Sequence, residues 1–230
     1  MSKARTLRVV ALLAILFVWT GAAAGQGRGQ QQPPAGGEVV DYTVATVNRK
    51  LITYSDLVWQ LALEPDTPLT RPSAGELGRT LERIIDQRLL YDEAEKMPHL
   101  HAEDPEVEAG LAELVRRFPS PAEFRERVTS VGLTTERVRE IVAERIEINK
   151  YLDFRFRSFT VVTPKEVEDY YRDAWVPRFR ARSPGLIVPR FDEVRAEIES
   201  TLTEAKIESD LSKYLEEARD RAEIVILTRF

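Results

Sequence analysis

The stretch GELGRTLERIIDQRLLYDEAEKM, residues 75–97, spreads Leu77, Leu81, Ile84, Ile85, Leu89, Leu90 and Ala94 over a broad arc of the helical wheel. A helix that is apolar on several sides is covered by neighbours on several sides, so this segment predicts the central helix of a mainly helical protein. Its start is marked by Ser73 and Glu76. The hydroxyl accepts from an orphan N–H of the first turn, while the carboxylate accepts from the cap residue in return.

The same signal recurs at Thr53 with Asp56, Ser120 with Glu123, and Thr163 with Glu166, and Pro121 and Pro164 stand at the first helical position. These marks predict helices over about 105–118, 121–131 and 135–157, with Gly132 able to end one in a left-handed cap. Before them, VVDYTVATV (39–47) and LIT (51–53) flank the turn-forming NRK, a short hairpin running into a helix. The last helix starts near Phe191. Its apolar stripe is Phe191, Val194, Ile198, Leu202 and Ala205 in one half, and Ile207, Leu211, Tyr214, Leu215 and Ala218 in the other. The second stripe is rotated by about 150°, so the two halves should bury opposite faces. The closing AEIVILTRF (222–230) reads as a strand whose natural partner is the N-terminal one. The fold class is mainly α: a multi-helix module with a small β element pairing the N- and C-terminal strands.

The 43% of hydrophobic residues suffices for a core, and the 31% of charged ones implies much exposed helical surface. Lys3, Arg5 and Arg8 precede the apolar run VVALLAILFVW and then GAAAG, the layout of a signal peptide over residues 1–24 cleaved near Ala24. The alternative, a retained anchor, needs roughly 20 apolar residues, more than this run offers. Export with no stable membrane anchor after cleavage is therefore expected. Residues 25–38, rich in Gly, Gln and Pro, read as a flexible linker.

Cleavage removes three positive charges and no negative one from a chain already at −5, a poor match to nucleic acid, so no nucleic-acid partner is expected. With no cysteine, the chain folds without disulfides, thiolate metal sites or a lipoprotein anchor.

His99 and His101 beside Glu103 and Asp104 lack the helical spacing of a zinc motif and any evident third ligand. Adjacent acids such as Asp92 and Glu93, or Glu216 and Glu217, are expected by chance among 38 carboxylates. With no G-x-S-x-G, phosphate-binding glycine loop or cysteine nucleophile, no catalytic residue, metal or cofactor is assigned. The unusual feature is aromatic residues interleaved with charge: Phe154, Phe156 and Phe159, then Tyr170, Tyr171 and Trp175, then Phe179. Together with Trp59 these are candidate contacts for an extended peptide, weighed against burial as ordinary core.

The ordered set VATVNRKLITYSDL, LERIIDQRLLYDEAEKM, VREIVAERIEINKYL and FTVVTPKEVEDYYRD resembles the N-terminal chaperone module of the SurA family of periplasmic chaperones and parvulin-type peptidyl-prolyl isomerases. FDEVRAEIESTLTEAKIESDLSKYLEEARDRAEIVI resembles the helix and strand that return to complete it. The resemblance covers nearly all of residues 39–228. It implies binding of unfolded or extended segments of exported proteins, often outer-membrane β-barrel precursors.

Between Trp175 and Phe191, where the family carries parvulin domains, this chain has only a short junction at 176–190, far below the roughly 40 residues of a minimal domain. Pro177, Pro184, Gly185 and Pro189 are expected to break the helix near Trp175 and release the chain into the next one. The expectation is an ATP-independent periplasmic holdase without isomerase activity, over residues 39–230. Its rivals are a dedicated envelope assembly partner on the same fold and, less favoured, a true isomerase.

Overall fold

The computed structural model describes residues 41–230. Residues 1–40, on which the expected signal peptide (1–24) and linker (25–38) fall, lie outside the described residues.

β1 (Thr43–Val47) and β2 (Lys50–Thr53) form an antiparallel hairpin. Asn48 and Arg49 both take positive φ between them, at 49° and 68°, as a tight two-residue hairpin turn requires. The chain then enters α1 (Tyr54–Ala62), capped by the predicted Thr53–Asp56 box. The central helix α2 (Ala74–Ala94) opens on the Ser73–Glu76 box. It is followed by α3 (Asp104–Arg116), α4 (Pro121–Ser130) and α5 (Thr135–Arg155). Ser120 and Thr134 cap the last two with their hydroxyl oxygens. Gly132, at φ 69°, ends α4 in the left-handed conformation that glycine adopts without penalty.

α6 (Pro164–Tyr170) leads through a wide turn, Tyr171–Trp175, into α7 (Val176–Arg182). This corrects the expected break near Trp175: the helix continues through Pro177, and the non-helical crossing is confined to 183–190. The Val176 N–H reaches back five residues to the Tyr171 carbonyl. Such a widened turn relieves the clash between a proline ring and the preceding carbonyl, and Pro177 has no N–H to leave unpaired.

α8 (Phe191–Arg221) is 31 residues long, about 46 Å at 1.5 Å per residue, and delivers the chain to β3 (Ile224–Ile226). β3 pairs antiparallel with β1, giving the sheet order β2-β1-β3. The Leu227 N–H donates to the Val44 carbonyl at 2.9 Å and the Asn48 N–H to the Glu223 carbonyl at 3.0 Å. The chain thus closes on its own first strand.

Four apolar clusters hold these elements. Val44, Val47 and Ile52 of the sheet pack with Leu57 and Leu61 of α1 and with Leu81 and Ile85 of α2. A second cluster joins α3, α4 and α5 through Val107, Leu114, Phe124, Val128, Val138 and Val142. The opposite faces of α8 enter the other two: Val194 and Ile198 pack on Val167 of α6, while Ile207, Leu211 and Tyr214 pack on Leu90 of α2 and Tyr151 of α5. The rotation of the stripe is what lets one helix serve both.

Candidate functional site

α3, α4 and the start of α5 enclose an open apolar groove of about 600 Å³, with Leu111, Val115, Phe124, Val128, Leu133 and Val138 in its lining. Arg125, Thr129, Thr135 and Glu136 supply polar groups at the same groove. The volume lies in the usual range for sites that take small molecules or short peptide segments. An apolar lining with few charges binds by desolvation rather than by directional chemistry.

The groove is fixed from behind. Arg127, on α4, donates from Nε to the Ala62 carbonyl at 2.9 Å and from Nη2 to the carbonyls of Leu61 (3.1 Å), Glu64 (2.7 Å) and Thr67. These carbonyls end α1 and its exit loop, where the last turn of a helix favours a cation; those of Leu61 and Glu64 also accept from the N–H groups of Glu64 and Thr67. Partial burial holds the Arg127 guanidinium below its ordinary pKa. The Trp59 indole N–H donates to the Val131 carbonyl at 3.1 Å, locking the loop that carries Gly132 and Leu133 into the groove wall. Arg137 lies over the Trp59 ring at 5.9 Å. On the other side, Gly110 lets α3 approach α5 so closely that a Cβ there would stand 2.9 Å from a Val142 methyl.

Between α1, α2 and α5 a small cavity of about 40 Å³ is lined by the charged and amide groups of Asp56, Gln60, Arg88, Glu144 and Arg145 together with apolar Trp59, Ile84 and Ile148. Arg88 pairs with Glu144 at 3.2 Å, and Arg145 donates to the Gln60 amide oxygen at 2.9 Å. Burial pushes the Arg145 pKa down to about 10, with Arg117 and Arg83 adding like-charge repulsion. These groups tie the helices together around a space that suits a few waters.

The eight aromatic residues singled out in the sequence do not gather at one place. Phe156 is 6% exposed and sits in the core, its ring 5.6 Å from that of Tyr214. Trp59 is half-buried and acts on the groove through Val131, as a positioning residue. Phe154, partly exposed, meets His99 edge-on. Phe159 is 71% exposed and, with exposed Val161, marks the connection between α5 and α6. A shallower hollow of about 260 Å³ lies there, lined by Phe156, Phe159, Lys213 and Tyr214.

Tyr171, Trp175 and Phe179 form a half-buried ladder along the outgoing helix, with stacked centroids 5.7 and 5.2 Å apart, and Phe191 closes it edge-on to Tyr171. Tyr170 lies beside it under the Arg178 guanidinium. Stacking of this kind stiffens the outgoing arm of the junction. The groove itself was missed: Leu111, Val115, Val128 and Val138 follow the spacing of any amphipathic helix, and only the glycine cap at 132 hinted at an opened loop beside them.

No protein-family model matches the chain. Among curated proteins, Chaperone SurA of Alkalilimnicola ehrlichii is 27% identical over 142 residues, which cover 59% of this chain and 33% of the relative. The chain therefore matches about a third of the length of that protein. This supports a SurA-like relationship for a mainly helical module. Among the described residues, no helix is long and apolar enough to cross a membrane.

Proposed function

We propose that the protein is a SurA-like, ATP-independent chaperone of the periplasm that holds unfolded or extended segments of exported polypeptides in the α3–α4–α5 groove. The observation that carries this reading is the similarity to Chaperone SurA, and the groove supplies a surface suited to it. Capture would be noncovalent. Apolar client side chains leave water against the half-buried Leu111 and Val115, and the exposed Phe159 and Val161 offer further contact away from the groove. Outer-membrane β-barrel precursors, whose strands alternate apolar and polar residues, fit such a surface.

In this reading no cofactor is used. The short junction at 176–190 takes the place of a parvulin domain, and no isomerase activity accompanies binding. The test is aggregation of several unrelated, chemically unfolded proteins, followed by light scattering without nucleotide. Slowed aggregation of most of them at near-stoichiometric chaperone is expected. Protection of none, with tight binding of one folded envelope protein, would instead establish a dedicated assembly partner. An X-Pro peptide should exchange between cis and trans at its uncatalysed rate.

A further inference from the structure

The arm formed by α7 and the crossing 183–190 belongs to neither the groove nor the core. α7 packs chiefly on the turn that precedes it, and the chain returns beside it to Pro189, whose carbonyl accepts from the Tyr171 hydroxyl at 2.7 Å. Near its end Leu186 is 66% exposed and Ile187 is 93% exposed. These two adjacent aliphatic side chains form a small contiguous apolar patch in water, unlike singly exposed residues, which are ordinary.

Charge sets the arm apart as well. Between Asp173 and Asp192 the chain carries Arg178, Arg180, Arg182 and Arg190 and no carboxylate, and all four are exposed. Elsewhere the balance is opposite: Asp and Glu outnumber Lys and Arg by 38 to 33 over the whole sequence. Among the described residues the four guanidinium groups have one side-chain partner, the Tyr170 hydroxyl, which accepts from Arg178 at 3.1 Å. The arm is thus a cationic, apolar-tipped projection on an acidic protein.

We propose that this arm docks on an anionic lipid surface, with Leu186 and Ile187 entering the headgroup–acyl boundary and the four arginines contacting lipid phosphates. The complementarity is twofold: arginine recognises phosphate, and the aliphatic tip requires an apolar phase that an acidic peptide would not provide. Repulsion between the acidic body and the same surface orients the molecule so that the arm leads. The stacked Tyr171–Trp175–Phe179 ladder and the Tyr171–Pro189 hydrogen bond keep the arm rigid enough to insert. The groove on α3, α4 and α5 is a separate surface, so this docking does not depend on client binding.

The absence of cysteine allows a clean test. Ile187→Cys in the full chain is labelled with an environment-sensitive nitrobenzoxadiazole dye, with Ser209→Cys on α8 as the reference position. Vesicles are made of phosphatidylcholine alone or with equal parts phosphatidylglycerol. The dye at 187 is expected to brighten and shift to the blue only with phosphatidylglycerol, while the dye at 209 stays unchanged. Each arginine near such a surface strengthens partitioning about fivefold, so Arg180→Glu with Arg182→Glu should weaken it by roughly 25-fold or more. Because the N-terminal apolar run of the full chain can itself hold vesicles, local fluorescence at the tip is read rather than sedimentation. An unchanged signal at 187, an equal response to both vesicles, or a response to poly-glutamate in place of vesicles would overturn the proposal.

Discussion

The Arg127 Nε donates to the Ala62 carbonyl oxygen at 2.9 Å, joining the helix that lines the groove to the end of the helix that follows the sheet. The same guanidinium serves three more carbonyls of the α1 exit, so one side chain gathers four acceptors at the end of that helix. Arg127→Ala leaves the Ala62 and Thr67 carbonyls to water or to nothing, whereas the Leu61 and Glu64 carbonyls keep the N–H groups of Glu64 and Thr67, so a loss of about 2–3 kcal/mol is expected. Urea unfolding should show it as a lower midpoint with little change in slope. Arg127→Lys should recover only part, since an ammonium cannot span four carbonyls in a planar fork.

Gly110 controls how near α3 lies to α5. A methyl group placed there meets Val142 at 2.9 Å and Ile146 at 3.3 Å, so Gly110→Ala forces the helices apart despite its better helix propensity. A net destabilisation of about 1–2 kcal/mol is expected, after the propensity gain is set against overpacking. A gain in thermal stability would mean that the two helices yield easily at this point.

Ile198, fully buried, binds the first half of α8 to Val167 of α6. Ile198→Ala should cost about 2–5 kcal/mol. Hydrogen exchange is expected to speed up first in α6 and the N-terminal half of α8, with the sheet less affected, because the two halves of α8 serve different clusters.

Glu166 carries the clearest acid dependence. Its carboxylate accepts from Lys206 at 2.7 Å, from the Thr163 N–H at 2.8 Å and from the Thr163 hydroxyl at 2.9 Å. The Lys206 contact, followed by the Thr163 cap, pulls its pKa from 4.5 down to about 2. A carboxylate depressed by folding stabilises above its unfolded value, and this contribution is lost as pH falls from about 4.5 towards 2. The difference in melting temperature between wild type and Glu166→Gln should therefore shrink over that interval. A constant difference would assign the effect to another group.

Much of the fold could be read from local chemistry. The hydroxyl–carboxylate pairs mark helix starts because they answer backbone groups within one turn, and the boxes at Thr53, Ser73 and Thr163 form as expected. The turned stripe of α8 was equally plain, since periodicity belongs to the chain itself. The pairing of β3 with β1 followed from the shortage of other strand partners. Continuation through Pro177 was not legible, because it depends on a five-residue hydrogen-bond step just before the proline. Nor was the groove, for Val115 has the same local pattern whether its neighbours close over it or leave it half-open. Aromatic content drew attention to Phe156 and Trp59, yet one fills the core and the other props the groove wall.

Chaperone action through the groove is tested most directly by crosslinking from Thr129, which is exposed at its edge. Thr129→Cys is coupled to a benzophenone and irradiated with a chemically unfolded client, and the yield is compared with the same probe at Ser209. The proposed site requires abundant client adducts from 129 and few from 209. It also requires Leu111→Glu with Val115→Glu to abolish the adducts while circular dichroism remains that of the folded protein. Equal yields from both positions, or undiminished capture by the folded double variant, would contradict binding in the groove.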